Sequence, residues 1–381
     1  MVFPNRRFVR AVGLMIGSIV GVGVFGLPFA FAQTGYGIGL LVLLVLGGMN
    51  AILLLMYADI VLHTPGNHRM AGYIAAYLGP TWGKVGIIGL AVSIWGGMAA
   101  YLIAGGRFLG ILFGADGGMG ETALGILLLC VVAAVSYRGL KFASRIEVGI
   151  LGLLMFLLAF IVVSAIPDAR VANLVPLHWD RWLLAYGVVF FAFNGGINAI
   201  PEMRAVLGSD RRLPHAVMTG MLWVLGLYAI FTLAVVAATG TGTSPFAIDA
   251  LVPSLGDTFR VVGSALAVVS VFSIFLLTSI ALRHAFERDV GLRKNAAWLL
   301  VFLPPAIAYL LGLRSFIGLL GFFGSVVSAA IGILIVAAYE SMRSSRTCRE
   351  HACVEFPRAF SAVIAGCYAL GIVLTLIHVI A

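Results

Sequence analysis

Runs of roughly 20 apolar residues recur along the whole chain, separated by short polar connections, and each run is long enough to cross a bilayer as a helix. About eleven spans are expected, at about 8–34, 37–62, 84–113, 121–138, 145–166, 181–204, 215–240, 257–282, 296–313, 315–340 and 358–380. Two of them are interrupted. Span one contains Gly17-Ser18-Ile19-Val20-Gly21-Val22-Gly23-Val24-Phe25-Gly26-Leu27-Pro28, with Gly17, Gly21 and Gly23 where a plain anchor would carry Leu or Ala. Glycine weakens a helix by about 1 kcal/mol relative to Ala, and proline in the interior by about 3. Inside lipid the freed N–H and C=O groups need partners, so an unwound stretch survives only where it is buried in protein or lines a cavity. The break is open to two readings, a mid-membrane binding site and a close-packing seam of the Gly17-x-x-x-Gly21 kind.

Span six carries a second interruption, Asn194-Gly195-Gly196, with Pro201 removing another helix bond a turn or so later. An odd offset of five spans makes spans one and six run in opposite directions. Discontinuous helices at corresponding positions of two oppositely oriented halves are what an inverted repeat of five plus five spans places at a transport site, and the coincidence favours that reading over packing. The outer half of span one then begins near Gly23 and offers helix N-terminal N–H groups, which suit a carboxylate. The outer half of span six ends near Phe193 and offers carbonyls, which suit an ammonium group or a sodium ion. A zwitterion satisfies both ends, with backbone doing the recognition.

Composition agrees: 62% of the 381 residues are hydrophobic and 10% charged, with mean hydropathy +1.10, too few charges for a soluble surface. The net charge of +9 is a topology signal and not a nucleic-acid footprint, because the basic residues sit in short loops. With the N-terminus cytoplasmic, one side collects Arg6, Arg7, Arg10, Arg69, Arg138, Lys141, Arg145, Arg204, Arg211, Arg343, Arg346 and Arg349 among others. The other side holds Arg107 and few more, together with Asp116, Glu121 and Asp249. This asymmetry implies an odd number of spans with the C-terminus outside. The first span reads as a membrane helix, not a cleaved signal peptide. Cys348 and Cys353 flank His351 in an Arg-rich loop, and neither a metal site nor a disulfide framework is expected there; no cofactor is implied. The expected architecture is one all-α polytopic domain over 1–381, with repeat one at about 8–166, repeat two at about 181–340 and an appended helix at about 358–380.

Gly17-Ser18-x-x-Gly21-x-Gly23-x-Phe25 resembles the first-helix motif of the amino acid–polyamine–organocation transporters. Phe191-Ala192-Phe193-x-Gly195 with Pro201-Glu202 resembles their sixth-helix motif. The loops Arg138–Arg145 and Arg204–Pro214 are similar to the family's loops at those places. The chain looks closest to the eleven-span aromatic/hydroxy amino acid permeases and the amino acid/auxin permeases. The resemblance implies a leucine-transporter-type fold and alternating access, with a proton or sodium gradient moving an amino acid across the inner membrane. It also implies a substrate carboxylate at the amides of Ser18 and Gly21, Val22 and Gly23, and an amine at the carbonyls of Phe191, Ala192 and Phe193, with Asn194 and Asn198 lining the break or bracing its loose backbone groups. In sodium-coupled relatives, hydroxyls of helix eight and carbonyls of helix one hold the cation; Ser270, Ser273 and Val20 correspond here. The alternative for each serine is a hydrogen bond to its own helix. Span five has no lysine to replace sodium, as some proton-coupled relatives do.

Phe25, Phe190 and Phe193 adjoin the breaks and are expected to wall a side-chain pocket, with Trp95, Met98 and Tyr101 beside Gly96-Gly97 as further candidates. The apolar lining favours neutral, aromatic or branched amino acids. Glu202 has three readings: an inner gate paired with Arg6, Arg7 or Arg10, a titrating group, or a solvated helix end. Asp59 and His63 are expected at a solvated membrane interface, and Arg107 is expected to snorkel outward. The seven histidines are scattered without metal-ligand spacing, against a membrane enzyme. No selectivity-filter segment supports a channel. Other small amines, nucleobases or ions remain alternatives on the same fold.

Overall fold

The structure, a computed structural model, describes residues 6–66, 68–115, 117–138, 143–208, 212–344 and 356–380. Its regular elements among these residues are all helical. Span one is two helices, α1 (Arg6–Ile19) and α2 (Gly23–Thr34), bent by 59° at the break. Then come α3 (Tyr36–His63), the short α4 (Met70–Leu78), α5 (Pro80–Phe113), α6 (Gly118–Arg138) and α7 (Ala143–Ala165). Span six is again two helices, α8 (Trp182–Phe193) and α9 (Gly196–Leu207), succeeded by α10 (Leu213–Thr239) and α11 (Ala247–Arg288). Next is α12 (Lys294–Leu310). Span ten is α13 (Phe316–Phe322), a π-helical segment Phe323–Ser328 and α14 (Ala329–Ser344), and α15 (Arg358–Ile380) closes the chain.

Nine spans among the described residues are long and apolar enough to cross a membrane, ten with the bent pair α1–α2. The 17-residue α12 takes the ninth place in the expected order; at 1.5 Å per residue it is about 25 Å long. The protein is an all-α polytopic membrane protein. Exposed Leu41, Leu44, Leu222 and Trp223 would be a liability in water and mark the lipid-facing surface of α3 and α10.

The half-helices pack in matching pairs: α1 against α9, and α2 against α8, with α10 against both halves of span one. On the other side α5 and α11 pack together, and α5 also carries α4 and α6. Gly35 turns α2 into α3 at φ 90°, a backbone that favours glycine, and the turn is held by His178 N–H donating to Thr34 O at 2.8 Å.

The structure gives Arg107 specific partners and corrects the expectation for Asp59. Arg107 pairs with Glu121 at 2.7 Å and with Asp249 at 3.2 Å, tying α5 to α6 and to the start of α11. Asp59 is buried at 1% exposure, with His63 Nδ1 3.2 Å from its carboxylate, because α9, through Arg204 on Val61 O, and α14, through Tyr339, cover that end of α3. The helix α4, unanticipated in the sequence, packs on α5 and α14. Asp116, Lys141, Arg211, Arg346, Arg349, His351 and the Cys348–Cys353 pair lie outside the described residues, as do the side chains of Arg138 and Arg145.

Candidate functional site

The helices break where the chain loses regular hydrogen bonding. Val20 N–H still reaches Ile16 O at 2.8 Å, after which Val24 and Phe25 reach back only three residues, to Gly21 O at 3.2 Å and Val22 O at 3.1 Å. Gly23 opens α2 and has no carbonyl of its own helix to reach, so the positive end of that helix points into the break. In span six, Asn194 N–H returns to Phe191 O at 3.0 Å and Asn198 N–H to Gly195 O at 3.2 Å. The last carbonyls of α8 give that side of the site its negative end.

The two breaks touch. A Cβ at Gly195 would fall inside the van der Waals envelope of Ser18 O and 2.6 Å from Ser18 C. A Cβ at Gly23 would lie 3.2 Å from both Ala192 Cα and the Phe191 ring. Gly21 faces Ile274 of α11. Behind the breaks, the fully buried Tyr228 of α10 places its Oη 3.1 Å from Ile19 O and 3.0 Å from Ala192 O. One phenolic proton thus serves two carbonyls, one from each break. The carbonyls of Phe191 and Ala192 are therefore engaged within the protein, each keeping a second lone pair for an incoming donor.

The third wall is α5. A Cβ at Gly97 would lie 3.6 Å from Tyr101 Oη and 3.8 Å from Phe191 Cζ, so the Phe191 ring stands between Gly23 and Gly97. The Tyr101 hydroxyl interacts with Thr278 of α11, and its ring lies 5.7 Å from that of Phe275. Ser93 accepts a hydrogen bond from Asn194 Nδ2 at 2.6 Å. Next to that bond is a cavity of about 20 Å³, space for one water, lined by Met70, Leu90, Ser93, Ile94, Asn194, Ile197, Asn198 and Ile331.

Ser18, Gly21, Val22, Gly23, Phe191, Ala192 and Asn194 thus gather at the paired breaks. Four expected pocket residues do not. Trp95 donates its indole N–H to Leu300 O of α12 at 3.0 Å and lies beside Phe286. Phe190 stacks on Tyr186 and meets Tyr368 of α15 edge-on at 4.6 Å. Phe193 lies against Tyr228 and Gly47, and Phe25 against Phe108 of α5. The reason is helical rotation: Trp95, Phe193 and Phe25 each stand two residues from Gly97, Phe191 and Gly23, about 200° round the helix, and Phe190 about 100° from Phe191.

Val20 is buried at the break. Ser270 and Ser273 donate to Leu266 O at 3.0 Å and Val269 O at 2.7 Å, the own-helix alternative. Glu202 pairs not with the N-terminal arginines but with Arg69, at 2.7 Å, just ahead of α4. Nearby, burial pushes the Asp289 carboxyl up against the opposing pull of Arg69, His68 and Arg288. Sequence reasoning misses Tyr228 and Ser93; each shares its span with other hydroxyls, so nothing along the chain singles it out.

A family model described as the tryptophan/tyrosine permease family matches residues 5–380. An uncharacterized transporter of Mycobacterium tuberculosis is 26% identical over 261 residues, covering 66% of this chain and 56% of that protein, so the chain spans little more than half the length of that relative. The tyrosine-specific transport system 1 of Haemophilus influenzae is 23% identical over 85% of each chain. The tryptophan-specific transport protein of Pseudomonas aeruginosa is 24% identical over 90% of this chain and 88% of its own. Among solved structures, MhsT in complex with L-phenylalanine superposes with a TM-score of 0.72 over 98% of both chains, at 16% identity; the likeness is one of fold, the leucine-transporter type.

Proposed function

Because the chain belongs to the tryptophan/tyrosine permease family, we propose that it is a secondary active transporter that carries an aromatic amino acid across the inner membrane by alternating access. The observation that carries the reading is the contact between the two helix breaks, Gly195 on Ser18 and Gly23 on Ala192, which sets a helix N-terminus and a helix C-terminus at one place. A zwitterion fits that polarity. Its carboxylate takes the N–H groups at the start of α2, and its ammonium takes the carbonyls that end α8. Its side chain lies toward Phe191, Gly97 and Tyr101, where an aromatic ring finds ring faces and the room that Gly97 leaves. Relatives specific for tyrosine and for tryptophan, and a structural neighbour bound to phenylalanine, support the same substrate class.

The two halves, about 8–166 and 181–340, act as inverted repeats, with the N-terminus cytoplasmic by the distribution of Arg and Lys. A proton or a sodium gradient drives the cycle. Proteoliposomes loaded under separate proton and sodium gradients and given labelled tryptophan, tyrosine, phenylalanine and leucine test the reading. Accumulation of an aromatic amino acid under one gradient is expected. Gly23→Leu, which drives a side chain into Ala192, should abolish it while the protein still inserts. Failure to accumulate or bind any aromatic amino acid overturns the proposal.

A further inference from the structure

Span ten borders the site along its whole length. At one end Phe316, Ile317 and Leu320 crowd Gly26 of α2. In the middle, Gly321 and Gly324 meet α8 backbone to backbone: a Cβ at Gly187 would fall 2.7 Å from Gly321 Cα, and one at Gly324 2.7 Å from the amide nitrogen of Phe191. At the other end Ile331 lines the cavity next to Ser93, Asn194 and Asn198. Each of these contacts is with an element that carries a break or faces one.

The π-helical segment Phe323–Ser328 lies between these contacts. A π-turn inserts one residue into the helical ladder and rotates the downstream residues by about 100° relative to an uninterrupted α-helix. Within the segment Gly324 faces α8 while Phe323 turns to α5. There the Phe323 ring lies flat on Gly96, with ring atoms as near as 2.6 Å and closer to where any Cβ would be. Gly96 therefore has to be glycine for this ring to sit there. It adjoins Gly97, the residue faced by the Phe191 ring and the Tyr101 hydroxyl. Phe323 is only half-buried, unlike the fully buried Phe25, Phe108 and Phe193 of the surrounding core. Its edge meets Phe322 at 5.6 Å.

We propose that Phe323 is a specificity-determining residue: its ring, set on Gly96 by the π-segment, is the wall against which the substrate's aromatic side chain packs, and its bulk sets the largest ring system admitted. The inference rests on the aromatic amino acid reading above. Aromatic rings pack preferentially offset or edge-on, so removing this wall weakens large rings selectively, while small aliphatic side chains lose little.

The test is the ratio of inhibition constants for tryptophan and leucine, measured against uptake of one labelled aromatic substrate in wild type, Phe323→Leu and Phe323→Trp. Both constants come from the same preparation, so a change in expression or insertion leaves the ratio untouched. Phe323→Leu is expected to move the ratio about 10-fold against tryptophan, the size of effect one missing group in an apolar pocket produces. Phe323→Trp is expected to turn tryptophan away in favour of smaller side chains. If Phe323→Leu fails to insert, Phe323→Met takes its place in the same assay. A ratio equal to wild type in the variants that transport overturns the role of Phe323. A wild type that no aromatic amino acid inhibits overturns the substrate reading instead, so the two failures are distinct.

Discussion

At Gly195 the constraint is space and not backbone angle. Its φ of −64° is open to any residue, yet a Cβ there would overlap Ser18 O across the break. Overpacking of this kind costs about 1–3 kcal/mol when neighbours can shift, and here the neighbour is backbone at the other break. Gly195→Ala is therefore expected to wedge the two breaks apart. Substrate binding should fall at least about 10-fold, which corresponds to about 1.4 kcal/mol of the overpacking cost. Gly366→Ala is the matched control: it sits on an exposed face of α15 with nothing within 4 Å of its Cβ position, and there alanine only improves helix propensity. Binding isotherms on the two purified variants check this, and a Gly195→Ala protein that binds like wild type would show that the contact is dispensable.

Between elements, Tyr228 joins the end of α1, the end of α8 and the body of α10 through one hydroxyl. Tyr228→Phe strands two buried carbonyls, and each unsatisfied buried group costs about 1–3 kcal/mol. A clear loss of thermal stability in detergent is expected. Tyr186→Phe should be neutral or stabilising, because the buried Tyr186 hydroxyl has no partner among the described residues. Equal melting temperatures for the two variants would remove Tyr228 from this role. The contrast also marks how far the sequence is legible. The breaks are readable because Gly21, Gly23 and Asn194-Gly195-Gly196 defy helix propensity inside runs that are otherwise uniformly apolar. The facing of each helix is not. In lipid both faces of α5 or α8 are apolar, so no stripe tells that Gly97 turns inward while Trp95 turns to α12. The adjacency of Phe190 and Phe193 to a break along the chain is therefore no guide to their direction. Tyr228 comes from span seven, and only the packing of distant segments brings its hydroxyl to the breaks. The π-segment likewise has no sequence signature comparable to a proline or a glycine pair.

Across the whole molecule, ion pairs tie the bundle on two sides of the breaks. Arg107 joins Glu121 and Asp249 near the end of α5, and Arg69 joins Glu202 just ahead of α4, which folds back along the first half of α5. Both sets are closed together, which is what an occluded state of an alternating-access cycle requires. Their strengths differ. The Arg69–Glu202 pair is a third to a half exposed, and exposed pairs contribute about 0–1 kcal/mol, a bias of at most about fivefold between states. The Arg107 group is more buried and has two carboxylates, so it should bias its end more strongly. A cysteine at Asn198, in the cavity on the Arg69 side, reports opening at that end. Its labelling by a membrane-impermeant thiol reagent is read above the background of the four native cysteines. Arg69→Ala is expected to raise the labelling rate severalfold by releasing its own end. Arg107→Ala is expected to lower it, because freeing the opposite end draws the population away from openings at the Arg69 side. The exchange of charges, Arg69→Glu with Glu202→Arg, should return the rate toward wild type. Labelling that moves in the same direction for Arg69→Ala and Arg107→Ala would mean that the two ends open independently, and the ion pairs would then be braces of the fold and not alternating clasps.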